Sequence, residues 1–187
     1  DNDQIVNSVD AVSPLSLTIS DTDPTLTVTG DPTFSALSVV EASGAGGSQT
    51  VQITAPTYTA SAVDGYTDSV SYALSTVEGA ATGLQTTNGN YAITLHQVDA
   101  NTIQGVYNGS NVAFTITLSG SSVTLTSSVA LEHANGPQNT ESDTLNLGTL
   151  VNVVATVTVT DGDNDQIVNS VDAVSPLSLT ISDTDPT

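Results

Sequence analysis

The sequence of 187 residues contains no lysine and no arginine, so its 20 aspartates and glutamates give a formal net charge of −20. No carboxylate can therefore pair with either of these cationic side chains. Nucleic acids and anionic membrane surfaces recruit lysine and arginine, and both should repel this chain. We expect no nucleic-acid partner, and we expect basic proteins or inorganic cations to be the charge partners.

Cysteine and tryptophan are also absent, and aromatic residues make up 4% of the chain. Without cysteine no disulfide can brace the fold, although extracellular proteins often use them. No apolar run approaches the ~18–20 residues of a membrane span, so we expect no direct membrane insertion. The chain starts in mid-pattern at Asp1 and without a signal peptide, which indicates a piece of something longer.

The apolar residues that are present alternate with polar ones. The alternation is clearest in LSLTIS (15–20), SVSYAL (69–74), NVAFTITL (111–118) and VNVVATVTVT (151–160), with Thr and Ser filling much of the other face. A period of two residues indicates half-buried antiparallel strands. Short strands separated by turns such as NGN and NGS predict an all-β fold, an Ig-like antiparallel β-sandwich, and residues 76–88 could hold one helical turn at most.

The first 25 residues recur without change as residues 163–187. Two identical copies predict that the chain is one domain of a tandem array, with neighbouring identical repeats as its partners. Because sequential strands usually pair, we expect 151–160 and 175–182 to form a long-looped terminal hairpin.

That hairpin decides between two domain divisions. We prefer a division in which 1–23 is the C-terminal tail of the preceding repeat and 24–187 is a complete repeat. The alternative places the domain at 1–161 and the start of the next repeat at 162–187.

An acidic turn, DGDND, follows the last long strand pattern and contains Asp161, Asp163 and Asp165. Repulsion between carboxylates ~5 Å apart is roughly 1 kcal/mol per pair even in water. Carboxylates alternating around a tight turn bring hard oxygen ligands to one point, which suits Ca²⁺. The sequence therefore predicts a calcium site here, with Asn164, backbone carbonyls and the more distant Asp172 as further ligands; a solvated acidic turn is the alternative.

A second acidic motif is SDTDP, which holds Asp21 and Asp23 and recurs with Asp183 and Asp185. At a junction between repeats, a calcium ion bound there would fix the angle between two domains. The same prediction covers Asp1 and Asp3, because they are the first copies of Asp163 and Asp165.

The loops of the following domain should add a ligand at this junction, and the candidates are Glu41, Asp64 and Asp68. A third acidic loop contains Glu132, Glu141 and Asp143, and we expect it to be solvated.

Nothing in the sequence indicates an enzyme. His96 and His133 stand far apart, and we expect both at the surface. No glycine-rich phosphate loop, HExxH or GxSxG motif is present.

Several motifs, in their order along the chain, resemble the extender repeats of giant type I-secreted RTX adhesins. They are VDGYTDSVSYALS, GLQTTNGNYAITL, SSVALEHANG, SDTLNLGTLVNVVATVTVTDGDND and the ending LTISDTDPT. The resemblance covers nearly all of residues 26–187. By position, Asp161, Asp163 and Asp165 match the acidic turn of these repeats, and Asp183 and Asp185 match their acidic linker.

The resemblance implies a calcium-dependent Ig-like domain of a secreted protein on a bacterial cell surface. Such arrays hold a ligand-binding tip away from the surface for adhesion or biofilm formation. We therefore expect a monomeric, calcium-stabilised structural spacer. The alternative is a calcium-dependent module that itself binds a glycan or a protein.

Overall fold

The structure is a computed structural model in which fifteen strands and one short 3-10 helix, Gly148–Leu150, are described. The residues described are 16–40, 47–132, 145–146, 148–173 and 179–182. The first seven strands are β1 Thr25–Gly30, β2 Thr33–Phe34, β3 Leu37–Val40, β4 Ser48–Thr54, β5 Thr57–Ser61, β6 Tyr66–Thr76 and β7 Ala81–Gln85. The others are β8 Ala92–Asp99, β9 Thr102–Tyr107, β10 Asn111–Ser119, β11 Ser122–Ser127, β12 Leu145–Asn146, β13 Val151–Asp161, β14 Gln166–Asp172 and β15 Leu179–Ser182.

The strands form two layers. One layer is a seven-stranded sheet in the order β2-β4-β11-β10-β9-β8-β7, and all of its pairs are antiparallel. The facing layer contains β14-β13-β6, with the β1-β5 pair beside β14. A third, small sheet has the order β12-β15-β3. The prediction of an all-β antiparallel sandwich is confirmed.

The core lies between the two layers and follows the alternation of the sequence. Along β13 every second residue is buried and the residues between are partly exposed. The fully buried residues of the opposite sheet include Leu95, Ile103, Phe114 and Leu125. They join Val151 and Val153 of β13 in one hydrophobic cluster. The period of two therefore places these apolar residues in the core, as the alternation predicts.

The predicted terminal hairpin is wrong in its second strand. β13 pairs antiparallel with β14, which follows the DGDND turn directly, from Thr160 opposite Gln166 to Val154 opposite Asp172. The later segment, β15, pairs instead with β12 and runs parallel to β3. The sequence does not reveal the β14 segment QIVNSVD, because its three apolar residues, Ile167, Val168 and Val171, do not alternate with polar ones.

Gly105 makes room for the largest fully buried side chain of the core. It lies opposite both Leu95 and Phe114 in the ladders of β9, and a Cβ at this position would overlap the ring of Phe114. A glycine here is therefore explained by packing.

We expect Gly105→Ala to lower the free energy of unfolding by about 1–3 kcal/mol, because overpacking displaces the ring. Urea unfolding of the single variant, of Phe114→Leu and of the double variant measures this. The loss in the double variant should be smaller than the sum of the two single losses. Additive losses would contradict the overlap.

Candidate metal centre

Asp161 is the last residue of the buried face of β13. The alternation that buries Val157 and Val159 continues for one more step and turns the Asp161 side chain inward. Its residue exposure is 6%, in a row that otherwise consists of valine and alanine. A carboxylate therefore ends the apolar stripe at one end of the sandwich.

The two oxygens of this carboxylate have different surroundings. Oδ1 accepts a hydrogen bond from the backbone N–H of Asp165 at 2.9 Å. Oδ2 is buried and has no hydrogen-bond partner among the described residues. Burying a carboxylate oxygen without a partner is unfavourable, and an ionised one costs several kcal/mol unless a cation compensates it. The chain has no lysine or arginine to do so.

The DGDND sequence folds as a tight turn around this carboxylate. The N–H of Asp161 donates to the carbonyl of Asp165 at 3.1 Å, and the N–H of Asn164 donates to the carbonyl of Asp161 at 3.3 Å. Asn164 has a φ of 81°, in the left-handed region that asparagine tolerates better than most residues. The turn thereby brings the backbone of Asp165 back to the Asp161 side chain.

Asp64, in the loop between β5 and β6, reaches the same turn. Carboxylate oxygens of Asp64, Asp161 and Asp163 all lie within 4.8 Å of one another, and we call this group the turn cluster. A Cβ at Gly162 would overlap the carboxylate of Asp64. A side chain at position 162 would therefore displace the Asp64 carboxylate from its position beside the turn.

A second group, which we call the linker cluster, consists of Asp21, Asp23 and Asp165. Their carboxylate oxygens also lie within 4.8 Å of one another, and all three residues are exposed. Asp23 directly precedes Pro24, which is buried, and Asp21 lies two residues before Asp23; β1 begins at Thr25. The buried proline fixes the point at which the linker joins the fold, next to the DGDND turn.

Mutual repulsion and hydrogen bonding shift the pKa values in both groups. The neighbouring carboxylates of Asp161 and then of Asp21, which favour the protonated form of Asp163, raise the pKa of Asp163 to about 6. The pKa of Asp165 is raised mainly by the charge of Asp21. Because Asp21 acts on both residues, the turn cluster and the linker cluster are electrostatically connected.

The structure brings together five of the predicted ligands, Asp21, Asp23, Asp161, Asp163 and Asp165. The other four lie outside the described residues: Asp1, Asp3, Asp183 and Asp185. The same is true of Glu41, Glu141, Asp143 and His133. Calcium binding by the nine predicted aspartate ligands, five described and four not, stays a prediction.

The further ligand candidates Asp64, Asp68 and Asp172 lie in three different surroundings. Asp64 was proposed for the junction with Asp21 and Asp23, but it belongs to the turn cluster, and Asp165 supplies the carboxylate at the linker. Asp68 instead accepts a hydrogen bond from the Tyr58 hydroxyl, which raises the pKa of Tyr58 to about 12. Asp172 lies at the far end of β14 from the turn, paired with Val154.

The other candidates lie at the surface. Glu132 is exposed. His96 is exposed, as predicted, and its Nδ1 lies 2.7 Å from Oε1 of Glu78, a contact that lowers the pKa of Glu78. Across the described part of the chain, no helix is both long and apolar enough to cross a membrane.

The raised pKa of Asp163 predicts how the metal-free protein responds to pH. A carboxyl whose pKa is higher in the folded than in the unfolded state stabilises the fold while it is protonated. Its contribution is complete below about pH 4 and is lost as the pH rises through about 6. In EDTA, we expect the free energy of unfolding to fall between pH 4 and pH 7.

Asp163→Asn is the matched variant for this measurement, because it keeps the size of the side chain and removes its titration. Its free energy of unfolding should fall less over the same interval. Equal slopes for the two proteins in urea unfolding would contradict the shifted pKa.

Comparison with known proteins identifies one family. No curated protein and no solved structure gives a significant match. The family described as "Domain of unknown function (DUF5801)" matches residues 16–174, a range that includes every described member of the turn cluster and the linker cluster. The chain therefore belongs to the family of the domain of unknown function DUF5801.

Proposed function

We propose that this chain is a calcium-stabilised, non-catalytic spacer of a tandem array in an RTX adhesin, secreted to a bacterial cell surface. The observation that carries the proposal is the buried, unpartnered Oδ2 of Asp161 in a group with Asp64 and Asp163. The resemblance to extender repeats supports the cellular setting, and the acidic groups support the cation.

The ligand chemistry favours calcium over transition metals. All three members of the turn cluster offer carboxylate oxygens, and the chain has no cysteine. Oxygen ligands select hard cations, and Ca²⁺ takes six to eight of them in flexible arrangements, whereas Mg²⁺ demands a near-ideal octahedron and keeps several waters. Carboxylates that can each supply one or two oxygens, completed by backbone carbonyls and water, suit Ca²⁺ better.

A cation at the turn cluster would stabilise the fold in two ways. It would compensate the Asp161 oxygen, and it would hold the β13–β14 turn to the loop that carries Asp64. Because a ligand that binds only the folded state shifts the folding equilibrium, stability would depend on the calcium concentration. Weak sites of the extracellular kind, with Kd about 10⁻⁴–10⁻³ M, would be empty at low calcium and filled outside the cell.

We expect 10 mM Ca²⁺ to raise the free energy of unfolding by about 1.4–2.7 kcal/mol for each such site, relative to EDTA. Thermal and urea unfolding, with Mg²⁺ at the same concentration, measure the effect. Asp161→Asn should lose most of the increment, because it removes a ligand charge and keeps the shape.

Asp31→Asn is the control for the loss of one negative charge, since Asp31 belongs to neither cluster. It should retain the full calcium response. Identical unfolding of the unsubstituted protein in Ca²⁺ and in EDTA would contradict the proposal, and an equal effect of Mg²⁺ would contradict the choice of calcium.

The linker cluster supports the spacer role, because it brings Asp21 and Asp23 of the linker close to Asp165 of the DGDND turn. A cation held by Asp21, Asp23 and Asp165 would restrict the angle at which the linker enters. In a tandem array, Asp183 and Asp185 would take the places of Asp21 and Asp23 at the next joint, since the two segments are identical.

In a chain of two consecutive repeats, we expect Ca²⁺ to increase the maximum dimension measured by small-angle X-ray scattering. Substituting Asp183→Asn and Asp185→Asn at the middle joint should abolish the increase. The same two changes at Asp21 and Asp23, at the outer end, are the matched control and should leave the increase largely intact. An unchanged maximum dimension in the unsubstituted chain would count against the rigid joint.

A specific groove favours a second candidate function, the binding of a neutral saccharide. The groove measures about 750 Å³ and lies against Tyr91 and Tyr107, whose ring centroids are 6.1 Å apart. None of the described residues that line it is acidic, although the chain has 20 acidic residues. Aromatic faces beside uncharged amides and hydroxyls suit a ligand that is polar but not ionised.

Local hydrogen bonds and core packing shape the groove. The buried Thr86 accepts a hydrogen bond from the N–H of Tyr91 at 3.2 Å and donates to the carbonyl of Asn88 at 3.0 Å. Tyr107 packs against the hydrophobic core. Asn88 lines the groove and is exposed, so its side-chain amide can reach a ligand.

For this second candidate, we expect the protein to bind a neutral glycan on a glycan array. Tyr91→Ala should weaken this binding about 3- to 10-fold, because it removes one aromatic contact. Tyrosine fluorescence titration with that glycan gives the Kd. Tyr66→Ala, which removes another exposed tyrosine outside the groove, is the control and should leave the Kd unchanged. If the protein binds no glycan on the glycan array, this function is excluded.

A further inference from the structure

Strand β6 has unpaired backbone groups along most of one side. β6 is the last strand of its sheet and pairs with β13 in an unbroken register. The N–H of Leu74 points away from β13, because it donates to the carbonyl of Ala100 at 2.7 Å. Since backbone direction alternates along a strand, the N–H and C=O groups of the even-numbered residues from Tyr66 to Tyr72 also point away from β13. No described residue makes a hydrogen bond with these groups, and we call residues 66–72 the open edge.

The open edge lacks the devices that protect the other sheet edges. β2 has only two residues, the register of β7 shifts along its pairing with β8, and β14 has β1 beside it. Proteins protect exposed edges with short strands, bulges, lysine, proline or inward-pointing charges. The open edge is long and regular and contains no lysine or proline, and its one charged residue is Asp68. That carboxylate repels an acidic strand but does not repel a basic one.

A groove of about 490 Å³ borders the open edge. Val70 and Tyr72 lie opposite the buried Val157 and Ala155, so their side chains point to the inner face of the sheet. Both are partly exposed. The groove is lined by these two residues together with Ser71, Asn101, Gly120 and Ser121. Because side chains alternate along a strand, a strand added at the open edge would direct every second side chain towards this groove.

We propose that the open edge binds an extended, basic segment of a partner protein as an additional antiparallel strand of the β14-β13-β6 sheet. Main-chain hydrogen bonds to the even-numbered residues would contribute affinity, and the groove would select apolar side chains at alternate positions. A lysine or arginine of the segment would lie beside Asp68. The Asp68 carboxylate is exposed, and the Tyr58 hydroxyl donates a hydrogen bond to it, which restricts its position.

The charge of the chain favours a basic partner over a second copy. Each copy has a formal net charge of −20 and no lysine or arginine, so two copies repel each other. Asp64 and Asp161 add negative charge at one end of the open edge, because Asp161 pairs with Tyr66. Asp68 belongs to neither acidic cluster, so its charge remains when a cation occupies them. A basic segment would therefore be attracted to the open edge with or without calcium.

Amide hydrogen exchange measured by NMR tests this mode of binding. The probe is a synthetic heptapeptide of lysine, threonine, valine, threonine, valine, threonine and lysine, in that order. In the free protein, the N–H groups of Asp68, Val70 and Tyr72 should exchange faster than those of Ser69 and Ser71, which face β13. At about 90% saturation with the peptide, exchange at the first three should slow about 10-fold, because only the free protein exchanges.

Peptide variants separate strand addition from general attraction to an acidic surface. N-methylation of both valines removes N–H groups that face β6 in an antiparallel pair, and it should abolish binding. N-methylation of the central threonine and one neighbouring threonine removes N–H groups that face away, so it should leave the Kd largely unchanged. Glutamate in place of both lysines should weaken binding by about 10-fold or more. Equal binding by the two methylated peptides overturns the proposal.

A protein variant tests the position of the charge. Asp68→Asn should weaken binding of the lysine peptide about 2- to 5-fold, as the loss of one exposed ion pair predicts. Asp31→Asn removes one negative charge elsewhere and should leave the Kd unchanged. Equal weakening by the two substitutions overturns the placement of the basic residue beside Asp68.

Two further outcomes of the exchange experiment contradict the proposal. If the peptide binds without slowing exchange at Asp68, Val70 and Tyr72, it does not occupy the open edge. If exchange at the same three residues slows as the protein concentration rises without peptide, a second copy occupies the edge. The second outcome overturns the choice of a basic partner, and analytical ultracentrifugation would then show a dimer.

Discussion

The position of the Asp161 carboxylate at the end of the buried face of β13 is the constraint on which the rest of this structure depends. In a strand that pairs on both sides, the side-chain period is two, so the valines that hold the core fix the direction of Asp161 as well. The chain cannot turn this carboxylate outward without moving Val157 and Val159 out of the core. A protein with one lysine in the right place could neutralise it internally, but this sequence has none. No described residue gives Oδ2 a hydrogen-bond partner, and on the proposed function a bound cation compensates it.

The same constraint connects the core to the linker. Asp161 Oδ1 holds the backbone of Asp165, and the Asp165 side chain faces Asp21 and Asp23. A movement of the Asp161 carboxylate would therefore also move the DGDND turn and the aspartates where the linker enters the fold. Since Asp21 raises the pKa of both Asp163 and Asp165, the two groups respond together to any charge placed between them. On the proposed function, stability of the domain and rigidity of its joint would share a common electrostatic origin.

Much of the fold follows from local patterns in the sequence, and the parts that do not follow depend on contacts between distant segments. The alternation in 151–160 predicts β13 and its buried face, and DGDND predicts a tight acidic turn. The pairing of β15 could not be read from the sequence, because its partner β3 lies far away along the chain and adjacent strands are the usual expectation. Asp64 was a weak candidate for a similar reason. Only its approach across Gly162 distinguishes it from other loop aspartates, and that glycine beside two aspartates was the one available signal.

The two copies of LTIS show that the local sequence does not by itself determine whether this segment forms a strand. Identical residues form a strand in one place and none in the other, so the intrinsic preference of the segment does not decide its structure. The apolar face of a strand is stable only where it can pack on a sheet and a core, and the position of β15 beside β3 provides both. In each copy the segment is followed directly by the DTDP aspartates. On the proposed function, a strand that completes the sheet of one repeat would be continuous with the carboxylates that face the turn of the next repeat. Displacing the strand would then also displace these carboxylates, and the order of one repeat would depend on the charge at the next.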